Sequence, residues 1–350
     1  MSISYFMRKI IALSFIMIGT VLGAGFASGQ EIFQYFARFG KLSIPLAIVS
    51  AVLFFFSYKF LLDLSNRERF LDYDAFSRRV FRKVSPIFDV FLCFSFIVLC
   101  GSMYASVNQL QEMLFNVDFP VLSFITAILC VLISLKGFSG LAKASVLTIP
   151  PIIFAILVLS FSKIDVGQMF FQPVTFALGV DGLLSAILYV AMNVLLSGVF
   201  LVLIGKNYTK KQIKIASITS ISLLGVLLIS ICLCLIANPR VVEGQVPLLV
   251  LSFSISKIFG YMFCVVIWCA VFSTLVSSSF TCINIISSKN QFLSSFIVVL
   301  AGYLISSIGF SNIVKWVYPI IGCVGIVFMF ATVLAFRRRK INSKKLTNKI

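Results

Sequence analysis

Gly19-Thr20-Val21-Leu22-Gly23-Ala24-Gly25-Phe26-Ala27-Ser28-Gly29-Gln30-Glu31 decides how this chain is read. The stretch lies within an apolar segment, residues 10–36, where a lipid-facing helix would carry Leu, Ile and Val. Four glycines, a series of small polar groups and a carboxylate do not suit a continuous helix in hydrocarbon. Unpaired backbone groups there cost on the order of several kcal/mol each, so a break is tolerated only where protein or a water-lined cavity surrounds it. Broken helices at membrane depth are how many secondary transporters build a solute site.

Outward from that stretch, the composition sets the frame. The 350-residue chain is 60% hydrophobic and 11% charged, which excludes a soluble domain of this length. Apolar runs long enough to span hydrocarbon recur at 10–36, 42–62, 86–114, 120–135, 141–162, 182–204, 213–237, 258–286, 291–308 and 312–336. The expectation is an all-α polytopic membrane protein of about ten transmembrane helices, with residues 1–350 forming a single domain. All but six of the 29 Lys and Arg residues fall on one side of these spans, the exceptions being Arg38, Lys41, Lys163, Arg240, Lys257 and Lys315. By the positive-inside rule both termini are cytoplasmic in the cell membrane.

The net charge of +18 then belongs to anionic lipid headgroups on the cytoplasmic face, not to nucleic acid. The basic stretch 65–85 suits an interfacial helix, and the tail 337–350 suits a membrane anchor. Nine cysteines lie in spans without metal-ligand spacing, and no histidine is present to complete a zinc set. They read as small apolar packers. One alternative for the N-terminus is a cleavable signal peptide, since Arg8-Lys9, an apolar core and small residues at 24–28 occur in that order.

Ten spans divide into five and five, and an odd number per half turns the second half upside down. The repeats would cover about 8–162 and 181–337. Equivalence of the first and sixth spans predicts that both are interrupted. The sixth carries Asn193 and the Ser197-Gly198 pair in an apolar run, a weaker signal than the first. Asn193 is equally suited to an interhelical hydrogen bond.

At these residues the chain resembles the YkvI-type membrane proteins, relatives of the amino acid–polyamine–organocation superfamily with the LeuT fold. The resemblance rests on Gly19 to Glu31, with support from Tyr189 to Asn193 and from Glu243 to Pro247. It implies that the amides of Ala24 and Gly25 meet a substrate anion, while the carbonyls of Gly19 and Leu22 join Ser277 and Ser278 around Na⁺. It also implies Tyr104 of the third span as a substrate contact, beside Tyr189, Asn193 and Ser197 of the sixth. In some proton-coupled relatives an ammonium of the fifth span replaces sodium, and Lys143 stands near the start of that span, where its nearness to the cytoplasmic boundary suits a snorkelling lysine better. The physics is compatible: helix N-termini attract anions and free carbonyls suit cations. Helix packing is the rival reading, because Gly19-xxx-Gly23 and Gly25-xxx-Gly29 are both GxxxG patterns.

Glu31 is the carboxylate deepest in a span, and such a group usually faces a cavity or a partner. It would bind a cation, receive a substrate ammonium or carry a proton; pairing with Arg38 is the bland alternative. Thr274, Ser277, Ser278 and Thr281 share a helical face, but back-bonding to their own carbonyls would explain them as well. Pro247 at a helix start suggests a short lid helix, or one that never moves.

The expectation is a secondary active transporter of a small zwitterionic solute, an amino acid or related amine, coupled to Na⁺ or H⁺. No other cofactor is expected. A receptor or assembly subunit that kept the fold without transport is the alternative. An enzyme is not expected, because the deep carboxylates do not cluster and histidine is absent.

Overall fold

In the computed structural model, which describes residues 3–115, 120–134, 137–164, 176–239, 246–286 and 291–347, the first apolar segment is in three pieces. Helix α1 (Ile3–Gly19) ends at a turn, α2 (Ala24–Ser28) makes little more than one turn, and α3 (Gln30–Tyr35) follows Gly29. Gly29 sits at φ 83°, a left-handed value that a Cβ would disfavour. The chain is therefore broken twice within a dozen residues.

The remaining helices are α4 (Ser43–Glu68), α5 (Tyr73–Phe81), α6 (Ser85–Phe115), α7 (Val121–Ser134), α8 (Gly137–Ser162), α9 (Phe176–Ile204), α10 (Lys210–Ala237), α11 (Pro247–Phe253), α12 (Lys257–Ile286), α13 (Gln291–Ile305), α14 (Phe310–Asn312) and α15 (Tyr318–Thr347). No strand occurs among the described residues. Six helical stretches there are long and apolar enough to cross a membrane alone, and Val121–Leu132, Leu147–Ser162 and Leu293–Ile308 are shorter apolar helices. With the broken first segment they make the ten crossings expected.

Burial explains which face of each helix is where. On α4, Leu46, Ala47, Ser50, Phe54, Tyr58, Leu61, Leu62 and Ser65 are buried, a stripe at three- and four-residue spacing. Ile48, Val52 and Phe56 point outward, where lipid satisfies them. Helix α9 differs, for Tyr189 to Val202 are all buried. It is the central post, packed by α4 on one side and α15 on another. A second group forms around α6, which packs on α12 and α13. Helix α8 touches α1, α10 and α12 and so joins the two groups.

One expectation is corrected. The sixth span is not interrupted: α9 runs unbroken from Phe176 to Ile204. Its polar residues serve their own helix, Asn193 Nδ2 donating to the Tyr189 carbonyl at 2.9 Å and Ser197 Oγ to the Asn193 carbonyl at 2.5 Å. Gly198 makes room for Phe328 and Leu61, each about 3 Å from where its Cβ would stand. On the facing helix, a Cβ on Gly322 would lie 2.7 Å from the Leu188 carbonyl, and one on Gly325 would overlap the Ala191 carbonyl. Small residues here bring two backbones together.

Within the basic stretch 65–85, Tyr73–Phe81 form the short helix α5, between the ends of α4 and α6. Asp72 caps α5 by accepting from the Ala75 amide at 2.8 Å. Tyr73, Phe76 and Ser77 are its buried face, and Tyr73 and Ser77 hydroxyls both donate to Asp89 on α6. Lys206, after α9, donates to the carbonyls of Phe70 and Leu71 and ties this end of the bundle together.

Candidate functional site

The turn between α1 and α2 leaves backbone groups free. Thr20 and Leu22 amides bond back to Ile16 and Ile18, the Gly23 amide bonds to Val21, and the Gly23 carbonyl accepts from Ala27. Among the described residues nothing donates to the carbonyls of Gly19 and Leu22, and nothing accepts from the amides of Ala24, Gly25 and Phe26. These groups include the four backbone positions singled out from sequence. All are buried except for a partly open Thr20, whose hydroxyl bonds the Met17 carbonyl at 2.8 Å. So one helix ends with bare carbonyls where the next begins with bare amides, inside protein.

Glu31 folds back across this second start. A Cβ on Gly25 would overlap its carboxyl group, so the glycine supplies the space that the acid occupies. Glu31 is 4% exposed and has no ion-pair or hydrogen-bond partner among the described residues. It is not the interfacial partner of Arg38, whose guanidinium lies 4.7 Å from the centre of the Phe39 ring. The phenols of Tyr35, Tyr189 and Tyr318 lie within electrostatic reach of Glu31. Tyr35 shares α3 with the acid, while Tyr189 of α9 and Tyr318 of α15 come to it from two distant parts of the chain.

Tyr189 is the hub of the aromatic wall. Its ring lies 5.3 Å from Tyr35, 5.1 Å from Phe36 and 6.0 Å from Phe54, centroid to centroid. The hydroxyls of Tyr35 and Tyr189 are buried without a hydrogen-bond partner. Tyr318 instead shares a 2.5 Å hydrogen bond with Ser102 of α6. Tyr58 of α4 stands beside the break, 3.4 Å from the Thr20 hydroxyl.

The other expected residues are placed as follows. Asn193 and Ser197 are buried on α9, with side chains turned to carbonyls of that helix. Tyr104 is buried on α6, where its ring faces Tyr303 of α13 at 6.2 Å and not the tyrosines around Glu31. Ser102 and Met103 are the α6 residues near the centre, the Met103 methyl lying 3.5 Å from a Cβ position on Gly23. On α12, Thr274 abuts the break, its Oγ1 being 3.3 Å from that same position. Ser277 Oγ donates to the Thr274 carbonyl at 2.9 Å, and Ser278 is buried without a hydrogen-bond partner among the described residues. Lys143 falls on α8, among residues whose side chains lie outside the described set, as do residues 243–245.

Two features bound the site along the bundle. Helix α11, with Pro247 in its first turn, rests on the second break, Leu248 Cγ being 2.7 Å from a Cβ position on Gly29. At the opposite, basic end a cavity of about 230 Å³ lies between Asp72, Tyr73, Leu203, Asn207 and Asn284.

Sequence reasoning missed Tyr35, Tyr58 and Tyr318 as site residues. Tyr35 carries a local signal, since it stands four positions after Glu31 on one helix face. Tyr58 and Tyr318 carry none, because only the packing of α4 and α15 against α9 brings them near.

The fold as a whole is that of LeuT-type transporters, as comparison with solved structures shows, although its sixth span is unbroken. The chain superposes on MHP1, a nucleobase-cation-symport-1 family transporter, with TM-score 0.59 at 13% identity, covering 89% of this chain and 74% of that one. A Na⁺-coupled sialic acid symporter gives 0.59 at 14% identity, covering 93% and 78%. A mutant of the Eremococcus coleocola manganese transporter gives 0.60 at 14% identity, covering 95% and 79%. At such identities the shared property is the fold. No protein-family model matches the chain. In sequence it is similar to the uncharacterised membrane protein YkvI of Bacillus subtilis (strain 168), with 26% identity over 342 residues, spanning 94% of this chain and 97% of that protein. The likeness to YkvI-type proteins therefore runs the length of the chain.

Proposed function

We propose that the protein is a secondary active transporter of a small solute bearing an amino group, an amino acid or related amine, coupled to Na⁺ or H⁺. The observation that carries this reading is the buried break, where the carbonyls of Gly19 and Leu22 and the amides of Ala24 and Gly25 are left without backbone partners. Polar groups so exposed in a membrane interior need a ligand, and the two helix ends suit opposite charges. On α12 Thr274 abuts the break, and Ser277 and Ser278, which follow it on that helix, are the further hydroxyls we assign to a coupling cation; Glu31 and Lys143 are the proton-carrying alternative. Alternating access would lift α11 from Gly29 on the outer face and open the cavity beside α5 on the cytoplasmic one. Both termini then lie in the cytoplasm, where the basic segments meet anionic lipid.

The test is current measurement on proteoliposomes adsorbed to a solid-supported membrane. Amines and amino acids are applied with and without Na⁺, and with and without a pH step. A solute-dependent transient current that grows with the ion gradient is expected. Solute binding by thermal shift without any such current would favour a receptor.

A further inference from the structure

We propose that the protein binds an anionic phospholipid of the cytoplasmic leaflet, its acyl chain in a groove between α4 and α15 and its phosphate against Arg79 of α5. This goes beyond the transport reading and stands whether or not the chain carries a solute.

The groove is apolar and faces the bilayer. It measures about 370 Å³ between Phe56, Phe60 and Leu61 of α4 and Phe328 and Met329 of α15, with Val194 of α9 beneath. It exists because α4 and α15 each pack along α9 and, among the described residues, touch one another little. Its floor is firm: Leu61, Val194 and Phe328 are buried, and the Phe328 ring stacks with Phe81 and Phe88 at 6.3 and 6.0 Å. Phe56 at the rim is exposed to hydrocarbon. A void beside the bilayer forfeits the dispersion contacts of its lining, and a flexible lipid tail restores them.

One end of the groove carries charge. Thr332 lines both the groove and a smaller recess with Leu64 and Glu68 of α4 and Arg79 of α5, so the slot leads to the basic interfacial helix. The ion pairs there single out Arg79. Its neighbour Arg78 is paired with Asp74 at 2.9 Å, and Glu68 in the recess is paired with Arg67 at 3.8 Å. Arg79 is exposed and has neither ion pair nor hydrogen bond among the described residues. An uncompensated guanidinium at headgroup level, beside an apolar slot, matches a phosphate diester with a hydrocarbon tail. A second copy of the chain is the rival occupant. Two copies inserted in the same sense would bring identical basic ends together at the groove, where like charges repel.

The experiment supplies delipidated full-length protein with equal amounts of phosphatidylglycerol and phosphatidylcholine of the same chains and reads retention by native mass spectrometry. One lipid per chain should stay bound. Phosphatidylglycerol should be favoured about fivefold or more, the factor that one basic residue gives at an anionic surface. Arg79→Gln should lower that preference about fivefold and leave the melting temperature unchanged, because the side chain is exposed and unpaired. Val333→Trp, at the half-buried edge of the groove, puts an indole in the slot and should abolish retention of either lipid. Ser57→Trp does the same from α4, should the first variant not fold. Equal retention of the two lipids, a preference unchanged by Arg79→Gln, or lipid retained by a folded tryptophan variant would each overturn the proposal. So would a lipid-free dimer dispersed by Val333→Trp, which would make the groove an interface between copies.

Discussion

The first and sixth spans carry similar raw material and fold differently. Both have glycine beside small polar residues in an apolar run, yet residues 19–30 break twice and α9 runs straight through. In α9 the polar side chains bond carbonyls of their own helix, and the glycines of α15 let that helix close onto it. In the first segment the glycines serve shape instead: Gly29 takes φ 83°, and Gly25 yields its side-chain volume to Glu31. Glycine in a membrane span thus answers one of two needs, close approach of a neighbour or departure from the helix. The atom facing the missing Cβ tells which.

Substitutions at the two regions should therefore fail in different ways. The largest effect on stability is expected at Gly325→Ala, whose methyl would overlap the backbone carbonyl of Ala191. No rotamer can relieve that clash, so α15 must move off α9 at a cost of about 3 kcal/mol, the upper end for overpacking. Thermal unfolding in detergent reads it, and an unshifted melting temperature would mean that the two backbones are not in contact. Gly25→Leu comes next. The displaced group there is a side chain, so destabilisation of about 1–3 kcal/mol is expected. The solute-dependent current should vanish, because Glu31 has nowhere to lie. A folded Gly25→Leu protein with parental current would remove the break from the mechanism.

How much of this was legible beforehand follows from the same contrast. The ten crossings and the first break were readable, since apolar length and a run of four glycines are local properties. That Glu31 is buried was readable from its depth in the span alone. The sixth span was misread because Asn193, Ser197 and Gly198 look alike in sequence whether they open a helix or pack one. What decides is Gly322 and Gly325, more than a hundred positions on. The tyrosines follow the same logic: Tyr35 stands one turn from Glu31, but Tyr58 and Tyr318 reach the site only through the packing of α4 and α15 on α9. On α12 the polar face was evident, whereas the choice within it was not, and Thr274 is the member set against Gly23.

A middle-sized effect separates the second break from the first. Gly29→Ala must hold a left-handed residue, at about 1–2 kcal/mol, and its methyl meets Leu248 of α11 at 2.7 Å. The melting temperature should fall modestly, while the current should fall more if α11 has to seat on this glycine once per cycle. A loss of stability with an unchanged current would make α11 a static cover.

The smallest effect is expected at Asn193→Leu, and it bears most directly on whether the sixth span touches solute. In a continuous α-helix the Tyr189 carbonyl already accepts the amide of residue 193, so the side-chain bond at 2.9 Å is a second one. Its removal leaves that carbonyl satisfied, and leucine keeps the branched outline of asparagine. Interhelical and side-chain bonds of this kind in membrane proteins contribute about 0.6 kcal/mol on average, so the melting temperature should barely move. If α9 is only the post against which the first segment breaks, solute affinity should stay within about threefold of the parent, well under 1 kcal/mol. A tenfold or greater loss in a protein of unchanged stability would mean that Asn193 turns from its own helix to the solute during the cycle, and that the two spans share the work after all.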